Sequence, residues 1–237
     1  MSTVVLASIF RNSKSYLDRF FNQIEGLDRA LRDQDKCLQL VLTEGDSTDG
    51  TYEQLWHELR ERNLWQRAKL LKVDHGGPTF GSVDVAERWC NISKVCNATL
   101  ESLPDADTVV YVESDLLWPV ETMLSLIRTA RYSHIDAVAP MCTHLPTGAF
   151  YDTWGHRANG TRFQPNPPYH PVLNQRDPGH QGLVPIESAG SCIVMDGIVA
   201  KHARFTPPEL GIVGFCQDIA THGFKLWLDP TLSVFHP

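Results

Sequence analysis

The chain has 237 residues, of which 42% are apolar and 21% charged, and its formal net charge is -7. That apolar content excludes a disordered or fibrous chain. The acidic balance, with no block of like charges, disfavours nucleic acid as a partner, because a broad grip on a polyanion needs a basic face. No apolar run is long enough to span a bilayer. The first, Val4 to Phe10, is too short for a signal peptide and lacks a basic leader. The expectation is a soluble, cytoplasmic, single domain over 1–237, with functional halves 1–118 and 119–237. The six cysteines form no Cys-x-x-Cys pair and no zinc spacing, so they read as buried free thiols.

Thr3 to Ile9 is a β-branched apolar run that reads as a buried strand. Tyr16, Leu17, Phe20, Phe21, Ile24 and Leu27 then recur at helical spacing, and Cys37 to Leu42 is a second strand ended by a polar turn. Tyr52, Leu55, Trp56 and Leu59 mark a second helix that Ser47, Thr48 or Asp49 can cap. Leu70 to Val73 is a third strand, a helix spans roughly 83–103, and Thr108 to Val112 is a fourth strand. This β-α-β-α-β-α-β order predicts an α/β fold with a mostly parallel sheet and right-handed crossovers. Residues 142–185, rich in Pro, His, Gly, Asn and aromatics, read as a functional loop or lid in which Trp154, Phe163 and Tyr169 need somewhere to pack. A strand over Ser191 to Met195 follows, then a short helix near Gln217 to His222 and two short strands around Leu226 and Val234.

In such sheets ligands bind in the crevice beyond the carboxyl ends of the strands, and the polar runs fall there. On that ground Glu44, Asp46 and the backbone from Ala7 and Ser8 to Arg11 are candidate nucleotide contacts. Glu113 and Asp115 end the fourth strand two residues apart, so their side chains point the same way. Two carboxylates there can hold one hard cation, magnesium or manganese, that offsets the charge of a departing diphosphate. Glu113 alternatively touches a ribose. His236, after an apolar strand-like stretch, supplies an imidazole of the kind manganese accepts. Asp218, at the start of a helix, reads equally as a general base and as compensation of the helix dipole.

Together these segments resemble GT-A glycosyltransferases. The EGDSTDGT turn at 44–51 is similar to the turn that contacts the donor nucleotide, and ESD at 113–115 to the Asp-x-Asp metal motif. Asn97 matches the Asn of the Ala-Arg-Asn helix, although Cys96 stands where that motif has Arg. Gln217-Asp218 resembles the Glu-Asp pair near the acceptor, and His236 the histidine that completes the metal site. FYDTWGHRANGTRF at 150–163 and LVPIESAGSCIVM at 183–195 narrow the resemblance to the fungal capsule-associated α-1,3-mannosyltransferase family. The resemblance implies a divalent metal, GDP-mannose or a UDP-sugar as donor, a glycan or small hydroxyl acceptor, and retention of configuration. It places Asp218 and Glu187 near the sugar. The aromatic and His-rich run 142–185 between two strand-like runs makes Asp152, Trp154 and Arg157 acceptor-side candidates, with a packed structural loop as the competing reading. Transfer to hydroxymethylated bases of nucleic acid and a nucleotide-sugar-binding module without turnover remain alternatives. A nucleotidyltransferase is disfavoured, because SIFRNSKS after the first strand carries no glycine.

Overall fold

A computed structural model describes residues 2–81, 83–132, 134–207 and 211–237. The first half alternates as expected: β1 (Ser2–Phe10), α1 (Leu17–Arg32), β2 (Lys36–Glu44), α2 (Thr51–Glu61), β3 (Ala68–Lys72), α3 (Ala86–Glu101) and β4 (Thr108–Val112). The second half continues with α4 (Val120–Thr129), β5 (Ala137–His144), the two-residue strands β6 (Arg157–Ala158) and β7 (Thr161–Arg162), β8 (Val184–Ile186), β9 (Cys192–Asp196), α5 (Gly197–His202), α6 (Gly211–Thr221) and β10 (Leu226–His236). The main sheet has eight strands in the order β3-β2-β1-β4-β9-β5-β10-β8. The pairs β1–β2, β2–β3, β1–β4 and β5–β10 are parallel, whereas β9 runs antiparallel to both β4 and β5, and β8 antiparallel to β10.

The sheet is covered on both faces, which is why its strands read as apolar runs rather than alternating ones. Along β1, Val4, Leu6 and Phe10 enter one core with α1, α2 and α4, while Val5 and Ala7 enter the other with α3, α5 and α6. Leu17, Phe20, Phe21, Ile24, Leu27 and Leu31 of α1 are fully buried, at about 1.5–3 kcal/mol of hydrophobic stabilisation for each large side chain.

Three features differ from the sequence expectation. The last helix is α6, Gly211–Thr221, so Asp218 stands in its last turn and not at its start, and a carboxylate in the last turn does not compensate the helix dipole. The last two strands are one, β10, whose register against β5 shifts between Asp229 and Ser233. Asp229 and Pro230 sit at that bulge, where a Pro lacking N–H is tolerated. Residues 142–185 are a packed cap, in which Phe150, Phe163, Val172, His156 and His170 are buried. Among the described residues no helix is long and apolar enough to cross a membrane, and all six cysteines are free.

Candidate active site

Strand order reverses beside β1, whose neighbours β2 and β4 lead the chain in opposite directions. A cleft of about 750 Å³ opens there, at the carboxyl ends of β1 and β4. Phe10, Arg11, Gly45, His75 and Val95 line one end, Glu113, Asp115, Tyr151, Asp152 and Ser191 the other, and Trp89 and Trp154 also line it.

The first end is a web of hydrogen-bonded polar groups. Asp46 accepts from the backbone N–H of His75 at 3.0 Å and of Gly76 at 2.7 Å, and lies 3.0 Å from His75 Nδ1. Burial would raise the Asp46 carboxyl, but these amides and the neighbouring imidazole hold it below its usual range. Burial lowers His75, keeping the ring neutral at pH 7. Asn12 and Ser47 tie the turn after β2 to the turn after β1, with Asn12 N–H donating to Ser47 Oγ at 2.9 Å and Thr48 N–H to Asn12 Oδ1 at 2.9 Å. Arg11 Nη2 donates to the carbonyl oxygens of Gly77 (3.3 Å) and Pro78 (3.1 Å), while its Nε is buried without a partner. A Cβ on Gly77 would sit 2.1 Å from Asn91 Nδ2 and would displace that side chain.

The second end is crowded with negative charge. The Glu113 carboxyl is raised by burial first and then by the charges of Asp115 and Asp152. His236 Nε2 lies 3.2 Å from Asp115 Oδ2, while Asp115 Oδ1 is buried without a hydrogen bond. That pairing raises the imidazole, chiefly through the hydrogen bond to Asp115. β10 delivers His236, because Phe235 exchanges backbone hydrogen bonds with Leu117 (2.8 and 2.7 Å). Tyr151 stacks on the His236 ring at 3.7 Å and 11°. α1 fixes the loop from behind: Arg19 Nη2 donates to the Asp115 carbonyl at 2.6 Å, and Gln23 bonds both Leu116 O and Trp118 N.

These residues fit a hard divalent cation. An orphaned carboxylate oxygen, an adjacent imidazole and mutually repelling carboxylates are relieved together by positive charge. Among the described residues no group of three or more His, Cys, Asp or Glu is placed to hold a metal ion. A cation here would therefore keep positions for water or phosphate oxygens, as magnesium-type ions do.

The structure places the other predicted residues as follows. Ala7 and Ser8 are buried within β1, and neither lines the cleft. Glu44 is buried beneath Gly45, accepting from the Ser47 N–H with one oxygen, the other being unpartnered. Asn97 is a structural clamp, donating to Phe205 O at 2.9 Å and accepting from Phe205 N at 2.8 Å. Asp218 accepts from Arg204 N–H at 2.7 Å, and Glu187 from Gly160 N–H at 2.9 Å; neither lines the cleft. Arg157 belongs to β6, outside the lining, whereas Asp152 and Trp154 are brought to it. Sequence reasoning passed over Tyr151, Ser191, Trp89, Arg19 and Gln23. Tyr151 directly precedes Asp152, and Arg19 and Gln23 stand four apart on a helix whose buried residues are apolar except Asp28, which were the available signals.

No protein-family model matches the sequence, and no curated protein is similar to it in sequence. Solved structures are similar in fold. Residues 1–349 of TarS from S. aureus match at 14% identity and a TM-score of 0.61, over 99% of this chain and 60% of that one; the same fragment has been solved with UDP-GlcNAc. The mannosyltransferase PcManGT from Pyrobaculum calidifontis, in complex with GDP-Man and Mn2+, matches at 15% and 0.61, over 98% and 56%. GalNAc-T7 with UDP, GalNAc and Mn2+ matches at 14% and 0.58, over 99% and 43%. The chain thus spans between 43% and 60% of these proteins. At such identities the likeness establishes the fold, which is the GT-A fold.

Proposed function

We propose that the chain is a metal-dependent glycosyltransferase. It moves mannose or a related hexose from a nucleotide-diphosphate sugar, GDP-mannose or a UDP-sugar, to a hydroxyl of a glycan or small acceptor, with retention. The observation that carries this reading is the Asp115–His236 pair, with its orphaned oxygen, at one end of a cleft whose other end is lined by Arg11, His75 and the Gly45 backbone. The complexes of two fold neighbours, one with GDP-Man and Mn2+ and one with UDP, GalNAc and Mn2+, support it.

In this reading Asp115 and His236 hold the metal, with Glu113 beside them as a ligand or ribose contact. The bound cation supplies Lewis-acid stabilisation of the leaving diphosphate. Arg11, His75 and the Gly45 backbone wall the nucleotide, and Glu44 and Asp46 hold that wall in place. Residues 1–118 bind the donor, and the cap in 119–237 carries the acceptor side, where Trp154 offers an exposed aromatic face. The carboxylates at the reacting end favour an uncharged acceptor over a polyanion such as nucleic acid. Unpaired cysteines suit a reducing compartment such as the cytoplasm.

The test is a panel of nucleotide sugars, each with Mn2+ or with EDTA, read by thermal shift and by release of nucleoside diphosphate. Metal-dependent release from at least one donor is expected. Stabilisation by a donor with no release under any condition would leave a binding module instead.

A further inference from the structure

One carboxylate in the cleft has so far served only as a neighbour of Glu113. Asp152 lines the cleft, and everything around it holds it in one position. Its Oδ1 accepts from Gly155 N–H at 3.0 Å. Its Oδ2 faces Ser191 Oγ at 3.2 Å and His156 Nδ1 at 3.3 Å. His156 is fully buried, edge-on to Phe150 with ring centroids 5.0 Å apart, and its Nε2 has no partner. The same His156 Nδ1 also faces the Gly190 N–H, at 3.4 Å, so the ring sits between Asp152 and the backbone that presses on it.

The backbone presses on the same carboxylate. A Cβ on Gly190 would lie 1.8 Å from Asp152 Oδ2, and one on Gly155 2.7 Å from Oδ1. Ser191 holds φ at 59°, a conformation that costs a non-glycine residue energy. Such strain persists where surrounding structure over-determines it, commonly at functional sites. Burial would raise the carboxyl, yet the bonds from His156, Gly155 and Ser191 hold it below its usual range. The two carboxylates that sequence reasoning put near the sugar, Asp218 and Glu187, are engaged by backbone amides outside the cleft.

We infer that Asp152 is the carboxylate that faces the transferred sugar and offsets the positive charge developing on its anomeric carbon, with Ser191 and His156 as positioning residues. The inference rests on the glycosyl-transfer reading above. The bond between the anomeric carbon and the diphosphate oxygen breaks, and its electron pair leaves with the phosphate. The acceptor oxygen bonds to that carbon, and its proton passes to the departing phosphate. Asp152 neither gains nor loses a proton. Its contribution is a fixed negative charge in a site partly shielded from water, where preorganised charge is most effective. A residue that merely held the acceptor would matter only when an acceptor is bound.

The experiment compares wild type with Asp152→Asn and Ser191→Ala. It follows release of nucleoside diphosphate without acceptor, transfer with acceptor, and donor affinity by calorimetry, using the donor and Mn2+ that the wild type turns over. For Asp152→Asn, acceptor-free hydrolysis and transfer are expected to fall together, by on the order of 100-fold, with donor Kd within about threefold. Ser191→Ala is expected to lower kcat for both reactions by roughly 10-fold with KM unchanged, as loss of one hydrogen bond to a charged group implies. Loss of transfer alone with a raised acceptor KM would overturn the inference and make Asp152 an acceptor contact, as would two unchanged rates. Should Asp152→Asn fail to fold, an unchanged kcat in Ser191→Ala overturns it. A wild type that turns over no nucleotide sugar would overturn the glycosyl-transfer reading itself, a separate result.

Discussion

The two ends of the cleft are built on opposite principles. Around Asp46 and His75 charges of both signs and backbone amides bond to one another, although Arg11 Nε and Glu44 Oε2 are buried without a partner. Around Glu113 and Asp115 the protein leaves a carboxylate oxygen unpaired and sets carboxylates against one another. The first end recognises by shape and fixed hydrogen bonds. The second sets like charges close together, an arrangement that the proposed cation would relieve.

The sharpest way to break this contrast is Asp115→Asn. Metal-dependent release of nucleoside diphosphate should fall by on the order of 100-fold or more, while the thermal midpoint without metal holds or rises, because a repelled charge is gone. A variant that keeps full metal-dependent activity would refute the metal assignment. Saturating Mn2+ should stabilise the wild type by about 2.7 kcal/mol at 100 times its Kd, and chelation should reverse it. Calorimetry should find that gain missing in Asp115→Asn.

At the other end, Arg11→Ala should weaken nucleotide diphosphate binding by roughly 10-fold, as loss of hydrogen bonds from a charged group implies, with kcat nearly unchanged. A large kcat loss at constant affinity would erase the distinction between the ends. The pH response should also differ. A Glu113 carboxyl pushed up to about 8 from the ordinary 4.5 binds a proton more tightly in the folded chain than in the unfolded one. Its contribution to stability is therefore present below 4.5 and lost as pH rises through about 8. In the metal-free protein, thermal midpoints across that window should decline less in Glu113→Gln than in wild type. The smallest effects are expected outside the cleft. Asp218→Asn and Glu187→Gln should each keep transfer within about twofold, with at most ~1 kcal/mol of stability lost with their amide bonds; a collapse of transfer would put either one back at the sugar.

The same contrast marks what could be read from sequence. Four buried parallel strands announce themselves as apolar runs, and residues at their ends must lie at the crevice, so Arg11, Glu113 and Asp115 were legible together with the GT-A fold. The antiparallel β9 and the single bent β10 depend on pairing with distant strands, which local pattern does not encode. Asp218 shows the other limit. Its motif position suggested the site, but helix phase decided otherwise: Cys216 and Ile219 turn inward on α6, and the intervening Asp218 turns to Arg204. Asp152 was found as a residue, yet its glycine seat and the strained Ser191 exist only in three dimensions.

The paired backbone bonds of Leu117 and Phe235 have a kinetic consequence. Asp115 and His236 are 121 residues apart in sequence, so their meeting requires closure of one of the longest loops in the chain, and long-range closures come late and slowly in folding. On the proposed metal assignment, a partly folded chain with β1 to β4 in place would carry Glu113 and Asp115 but lack His236, so metal binding would report on completion of the whole sheet.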